Sequence, residues 1–200
     1  MKENILGCKM DNQVDLGRLA FKYFNYFMVF LWRLGMGKLL SAWPEVFGQY
    51  MVITHHGRKS GREYRTPVNY TEVNGEIYCT AGFGKGSDWY RNILTNPQVE
   101  IWLPDGWYVG SAEELKLDAV SLPLLRSVLV HSGFAAYMAG ANPKEMSDES
   151  ILELCKEYRL IHIRRSAPRT GSDGPGDLAW VWPVAMTAML LLCLAGRKKK

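Results

Sequence analysis

The chain is 200 residues long, 48% hydrophobic and 22% charged, with a formal net charge of +4 and an isoelectric point near 8.8. That is enough apolar material for one domain with a buried core plus one further element, and too ordinary a charge fraction for wholesale disorder. Part of the cationic excess lies in Arg197–Lys200, so net charge gives no indication of a nucleic-acid partner, and none is expected.

The four cysteines, Cys8, Cys79, Cys155 and Cys193, form no Cys-x-x-Cys pair and match no zinc or disulfide spacing. They read as reduced thiols of a cytosol-facing protein. His55 and His56 would point to opposite faces of a strand, and no ligand spacing for a metal is present, so no metal is expected.

In chain order, residues 1–20 are polar and mixed, without an apolar signal core. Phe21–Leu40 is aromatic and apolar, but Lys22, Arg33 and Lys38 interrupt it too often for a span of about 20 residues. It reads as a helix packed on the domain or lying in a membrane surface. Strands are expected over Gln49–His55, Tyr64–Thr71, Glu76–Thr80, Gln98–Leu103, Trp107–Ala112 and Leu160–Arg164, from their β-branched and aromatic content. Asn74-Gly75 and Asp105-Gly106 mark hairpins. Helices are expected over Asp88–Thr95, closed by Asn96-Pro97, and over Leu117–His131 and Asp148–Tyr158. Short strands joined by hairpins, with few helices, describe a mainly β domain with flanking helices, a small closed or half-closed barrel over residues 21–165.

Residues 166–177, rich in Gly, Pro, Ser and Asp, read as a linker. Leu178–Ala195 is free of charge, with Trp180 and Trp182 at one end and Arg197–Lys200 beyond the other. About 27 Å of helix would cross a thin bilayer, so a transmembrane helix is expected over 178–196, followed by a basic tail, 197–200. Charge does not orient it, because Arg159, Arg164, Arg165 and Arg169 balance the tail. The expectation is a membrane-anchored protein with its catalytic domain in the cytoplasm. A surface-sorting tail, with the domain outside, is the alternative.

Two clusters carry chemistry. In Gly57-Arg58-Lys59-Ser60-Gly61-Arg62, followed by Arg65-Thr66, glycines free the backbone to present N–H groups, and the cations add charge-assisted hydrogen bonds. Such a turn suits a phosphate or a polycarboxylate tail, or is a solvated hairpin tip. In Ala81–Asn92, glycines leave a strand end just before a helix begins, which permits close approach to a flat ring.

These segments, THHGRKSGREYRTPVNY and then AGFGKGSDWYRNILTNPQVEI, resemble the deazaflavin-dependent nitroreductase family, across roughly Asn25 to Arg164. The resemblance implies a split β-barrel of the FMN-binding type and coenzyme F420 as cofactor. It further implies that Arg58, Lys59 and Ser60 hold the coenzyme's phosphate and acidic tail. Arg65, Thr66, Pro67, Val68 and Asn69 would line the ring and ribityl side, Thr80, Ala81, Gly82 and Phe83 would pass beneath the ring, and Asp88, Trp89, Tyr90, Arg91 and Asn92 would close the site. The sequence departs from the family where Gly82-Phe83-Gly84-Lys85 replaces Ser-Lys-Gly-Gly. In the late helix only Tyr137 offers a hydroxyl, so Tyr137 is the candidate catalytic proton donor.

The expected function is hydride transfer from reduced coenzyme F420 to an electrophilic small-molecule acceptor such as a quinone or nitro compound. Three alternatives stay open: an FMN- or FAD-binding reductase on the same barrel, a non-enzymatic, membrane-tethered carrier of cofactor or lipid, and an anion-binding structural module without a flavin-like ligand. A homodimer is expected, because barrels of this type often pair.

Overall fold

Five consecutive buried residues, Met51–His55, mark a strand covered on both faces. It is β1 (Tyr50–His56), and a computed structural model describing residues 22–42, 48–138 and 140–197 places it in a closed antiparallel barrel of order β1-β2-β3-β6-β5-β4. The other strands are β2 (Glu63–Val73), β3 (Glu76–Ala81), β4 (Gln98–Leu103), β5 (Gly106–Leu115) and β6 (Arg159–Pro168). All six expected strands are present. β4 returns to pair with β1, Ile53 opposite Ile101, which closes the ring. The polar segment 1–20, Phe21 and Lys198–Lys200 lie outside the described residues.

Strand alternation sorts the side chains. Met51 and Ile53 point inward with Val68, Tyr70, Ile77, Cys79, Ile101, Ile161 and Ile163, forming the barrel core. Val52 points outward into a second cluster with Trp32, Trp102 and Trp107. Each such fully buried aliphatic side chain is worth roughly 1.5–3 kcal/mol. Asn74 and Gly75, both at positive φ (55° and 83°), turn β2 into β3, the two-residue hairpin expected of that dipeptide.

The first described helix, α1 (residues 22–33), buries Met28 and Trp32 against the barrel and exposes Tyr23, Tyr26, Phe27 and Phe30. Its packed face fits the first reading of this segment. A short helix, α2 (Gly37–Ala42), follows. The helix α3 (Asp88–Thr95) has the predicted bounds. The helix α4 (Leu122–His131) starts later than expected, because the Asp118 carboxylate accepts the N–H groups of Val120 and Ser121 and holds a turn ahead of it. After the short α5 (Phe134–Met138), α6 (Asp148–Leu154) ends earlier than expected, though its Ser147 cap is in place.

The C-terminal region requires a correction. Residues 166–168 of the expected linker continue β6, and the remainder is a strap docked on α1. Gly176 N–H donates to Trp32 O, Leu178 N–H to Arg33 O, and Trp182 Nε1–H to Leu34 O. Arg33 Nε donates to Asp177 Oδ1 at 3.0 Å, and this bond holds the Asp177 carboxyl below the usual range. The strap takes Leu178–Trp180 out of the helix. What remains, α7 (Val181–Arg197), is 17 residues, about 25 Å. Among the described residues no helix is long and apolar enough to cross a membrane, so the transmembrane helix over 178–196 is not supported.

Candidate functional site

The turn between β1 and β2 folds on itself through Gly57 N–H to Arg62 O and Gly61 N–H to Gly57 O, both at 2.8 Å, with Gly61 at φ 65°. It forms one end of a cavity of about 990 Å³, with Lys22, Asn25, Tyr26 and Val29 of α1 as the opposite wall. Lys22, Arg58, Lys59 and Arg65 face it against the carboxylates of Glu63 and Asp88. The field there is net positive and favours an anion.

A second cavity of about 470 Å³ continues from the first, and the two share Asn25, Thr66 and Asp88. Its walls are largely apolar: Tyr50, Pro67, Val68, Trp89, Leu129 and Ala136. Together they make one cleft, cationic at one end and apolar at the other.

Most residues singled out in the sequence meet in this cleft. Arg58, Lys59, Ser60, Arg65 and Asn92 line the cationic end, Pro67, Val68, Asn69, Thr80, Gly82, Phe83 and Trp89 the apolar end, and Thr66 and Asp88 both. Four others stand elsewhere. Ala81 and Tyr90 turn into the barrel core, where Tyr90 Oη–H donates to Glu114 (2.7 Å). Burial and that bond push the Tyr90 phenol up to about 12, so it stays protonated. Arg91 is exposed and pairs with Asp88. Tyr137 is half exposed, and the cavity wall near it consists of Ala135, Ala136 and Tyr158.

The Arg58 side chain is engaged within the protein. Its Nη2 donates to Asp88 (3.1 Å), and its Nη1 and backbone N–H both donate to Asn92 Oδ1 (2.9 and 3.1 Å). Arg58 therefore fastens the turn to α3. Arg65 differs: its Nη2 donates to Glu63 (2.6 Å) and its guanidinium lies 5.2 Å over the Trp102 ring, while its buried Nε has no partner. Asn25 Oδ1 and Ser87 Oγ are buried and unpartnered as well, and all three residues line the cleft. Buried polar atoms without partners are uncommon in native proteins. These three fit an elongated ligand with an anionic tail and a flat, hydrogen-bonding body.

The sequence reading missed Lys22, Asn25 and Tyr26 of α1, together with Ser87 and Tyr158. The aromatic run of Phe21–Leu40 was a usable signal for α1, but nothing local in the sequence aims it at the turn. Within Gly82–Lys85, the backbone requires glycine at Gly84. It sits at φ 50°, and a Cβ there would lie 2.0 Å from Glu157 O. Gly84→Ala is expected to cost on the order of 3 kcal/mol, from overpacking plus left-handed strain. Gly86→Ala meets open space and is expected to leave the thermal midpoint unchanged. Equal midpoints for the two variants would refute the contact.

Among the described residues, no group of three or more His, Cys, Asp or Glu side chains is placed to hold a metal ion. Three solved structures of similar shape are a conserved hypothetical protein from Mycobacterium tuberculosis (17% identity over 59% of this chain and 73% of that one, TM-score 0.46), a protein from Agrobacterium tumefaciens (22%, 67% and 56%, TM-score 0.43) and an F420-H2 dependent reductase, FDR-A (18%, 57% and 93%, TM-score 0.37). Likeness at this level says nothing of function. The sequence profile of the F420H(2)-dependent quinone reductases, by contrast, matches residues 33–143, more than half of the chain and the stretch that builds most of the cleft. The chain belongs to the F420H(2)-dependent quinone reductase family, and is an oxidoreductase whose cofactor is coenzyme F420.

Proposed function

We propose that the coenzyme lies along the cleft, tail at the β1–β2 turn and ring at the apolar end, and that the acceptor is a lipid-soluble quinone, with nitro compounds as a second class. The observation that carries this reading is the polarity of the cleft, four cations at one end and apolar walls at the other. Lys59, Ser60 and Arg65 hold the tail, and Arg58 with Asp88, Arg91 and Asn92 holds the turn in shape. Thr66, Pro67, Val68, Asn69, Thr80, Gly82, Phe83 and Trp89 enclose the ring, with Ala81 and Tyr90 backing that wall from the core side. The reduced coenzyme, when bound, supplies a hydride. The protein's part is to orient both partners, exclude water and deliver a proton to the acceptor oxygen. Tyr158 and Tyr137 are the candidate donors: Tyr158 lines the cavity, where burial raises its pKa, and Tyr137 lies on α5, whose Ala135 and Ala136 form part of the same wall.

The chain is proposed to work at a bilayer surface, with α7 sunk into the near leaflet. Its residues Val184, Met186, Met189, Leu190, Leu191 and Leu192 are each more than half exposed, on all sides of the helix. A single protein partner would cover only one side, whereas acyl chains surround the whole helix, with the basic Arg197–Lys200 at the anionic headgroups. The domain limits (barrel with its N-terminal helix 21–168, strap 169–180, C-terminal helix and basic tail) and the pairing of two copies belong to the same proposal.

The test is anaerobic turnover of reduced coenzyme F420 by the full chain, with one quinone in solution and a long-chain quinone in anionic vesicles. Both quinones are expected to oxidise the coenzyme. The double substitution Leu190→Asp, Leu191→Asp is expected to slow the vesicle reaction about tenfold and leave the soluble one unchanged, about 1.4 kcal/mol of lost association. In the same assay, Tyr158→Phe or Tyr137→Phe identifies the donor by a fall in kcat. A coenzyme that nitro compounds oxidise and quinones leave reduced would remove the quinone assignment.

A further inference from the structure

His55 lies directly beneath the cleft, 2% exposed, with its ring stacked near Tyr64 at 6.0 Å between centroids. On β1 it shares a face with Met51 and Ile53 and caps that end of the barrel core. Both ring nitrogens are engaged: Nδ1 is 3.2 Å from Asn92 Nδ2, and Nε2 is 3.1 Å from Thr66 Oγ1.

The donor directions follow from the neighbours. Asn92 Oδ1 accepts two hydrogen bonds from Arg58, one from the backbone N–H and one from Nη1, and an arginine has only donors to offer. That fixes which end of the amide faces His55: it is the NH2 group, which donates to Nδ1. Nδ1 must then carry its lone pair. Burial is the main cause that lowers the His55 pKa to about 4, with His56 adding to the effect and Asp88 opposing it. The ring is neutral near pH 7, and its one proton sits on Nε2 and is donated to Thr66 Oγ1. The Thr66 hydroxyl, already accepting, has one hydrogen left to give. It has no other partner among the described residues, and Thr66 lines both halves of the cleft.

We infer that His55 is a positioning residue that, through Thr66, presents a hydrogen-bond donor to the middle of the cleft, at the junction between its anionic-tail end and its ring end. The chain Arg58–Asn92–His55–Thr66 carries one donor direction from the turn to the cavity. Its target is a ligand atom with a free lone pair, such as a ring carbonyl or a hydroxyl oxygen. A ligand presenting only N–H at that point meets a donor and is disfavoured. This consequence rests on the reading that the coenzyme fills the cleft, whereas the proton's location on His55 does not.

The test has two arms. In the full chain, free of coenzyme and labelled with nitrogen-15 at histidine, the His55 ring is expected to be the neutral Nε2–H form at pH 7, and to stay so at pH values where exposed histidines are already protonated. An Nδ1–H form, or an imidazolium near neutrality, would overturn the relay. In the second arm, the dissociation constant of oxidised coenzyme F420 is read by fluorescence. Thr66→Val and His55→Leu are each expected to raise it about tenfold, and the double variant also about tenfold, since both remove one donor. Thr66→Ser and His55→Gln, which keep the donor directions, are expected to restore binding. A double variant about a hundredfold weaker would mean independent roles and sink the proposal, and should His55→Leu not fold, the Thr66→Val and Thr66→Ser pair still decides. If the wild-type chain leaves coenzyme F420 unbound, the reading of the cleft fails, while the tautomer still reports on the relay.

Discussion

Replacing Arg65 with alanine is expected to raise the dissociation constant of coenzyme F420 by roughly a hundredfold. A charge-assisted hydrogen bond in a partly buried site is worth about 1.5–3 kcal/mol, and each 1.4 kcal/mol is a factor of ten. Arg65 is chosen over its neighbours because of what each cation already does. Arg58 is spent on Asp88 and Asn92, and Lys59 is exposed at the tip of the turn. Arg65 keeps a buried Nε without a partner, held at the cavity wall by the Trp102 ring and Glu63. Arg65→Lys is expected to recover only part of the loss, since an ammonium neither stacks as a plane nor offers a fork. Arg62→Ala, exposed and outside the cleft lining, serves as the control and is expected to change binding little. Fluorescence titration reads all three, and equal effects at Arg62 and Arg65 would reduce the clamp to a diffuse basic patch.

The largest effect on stability is expected at Trp102. Its side chain is fully buried between Trp32, Val52 and Trp107, with the Trp107 ring edge-on at 6.4 Å. Trp102→Ala opens a cavity where α1 packs on β4, and costs about 3–5 kcal/mol. For a domain of this size that lowers the thermal midpoint by ~10 °C. Trp102→Phe is expected to cost much less, because the indole Nε1 is buried without a partner and its removal leaves no polar group stranded. Because Trp102 is also the surface on which Arg65 rests, the alanine variant is expected to bind coenzyme more weakly even at temperatures where it is folded. A destabilised variant with unchanged binding would separate the core cluster from the site.

The barrel was legible because its strands obey local rules. Alternation and β-branched content gave all six strands, and Asn74-Gly75 gave its hairpin outright. The cationic turn was legible for the same reason, since Gly57–Arg62 is one continuous segment. The missed features are those in which distant segments meet. Asn25 and Tyr26 reach the cleft only because Met28 and Trp32 seat α1 on the barrel, and no local pattern states where a helix docks. Tyr137 was the obvious hydroxyl of its helix, yet the cavity wall takes in Tyr158, which lies just ahead of β6. The C-terminal span failed differently. Its composition was apolar enough, but the strap bonds at Arg33, Leu34 and Asp177 draw off its first turn, a long-range competition that hydropathy does not register.

The order of the barrel strands bears on how the chain is made. β6 is last in sequence but stands between β3 and β5, paired to both. Until β6 has left the ribosome, β3-β2-β1-β4-β5 can form only an open sheet, with β3 and β5 as two bare edges. The final strand inserts like a keystone, its Leu160–Ile163 filling the gap, and only then is the ring sealed. The apolar tail emerges after that strand, so the nascent domain can be complete before its hydrophobic end leaves the exit tunnel.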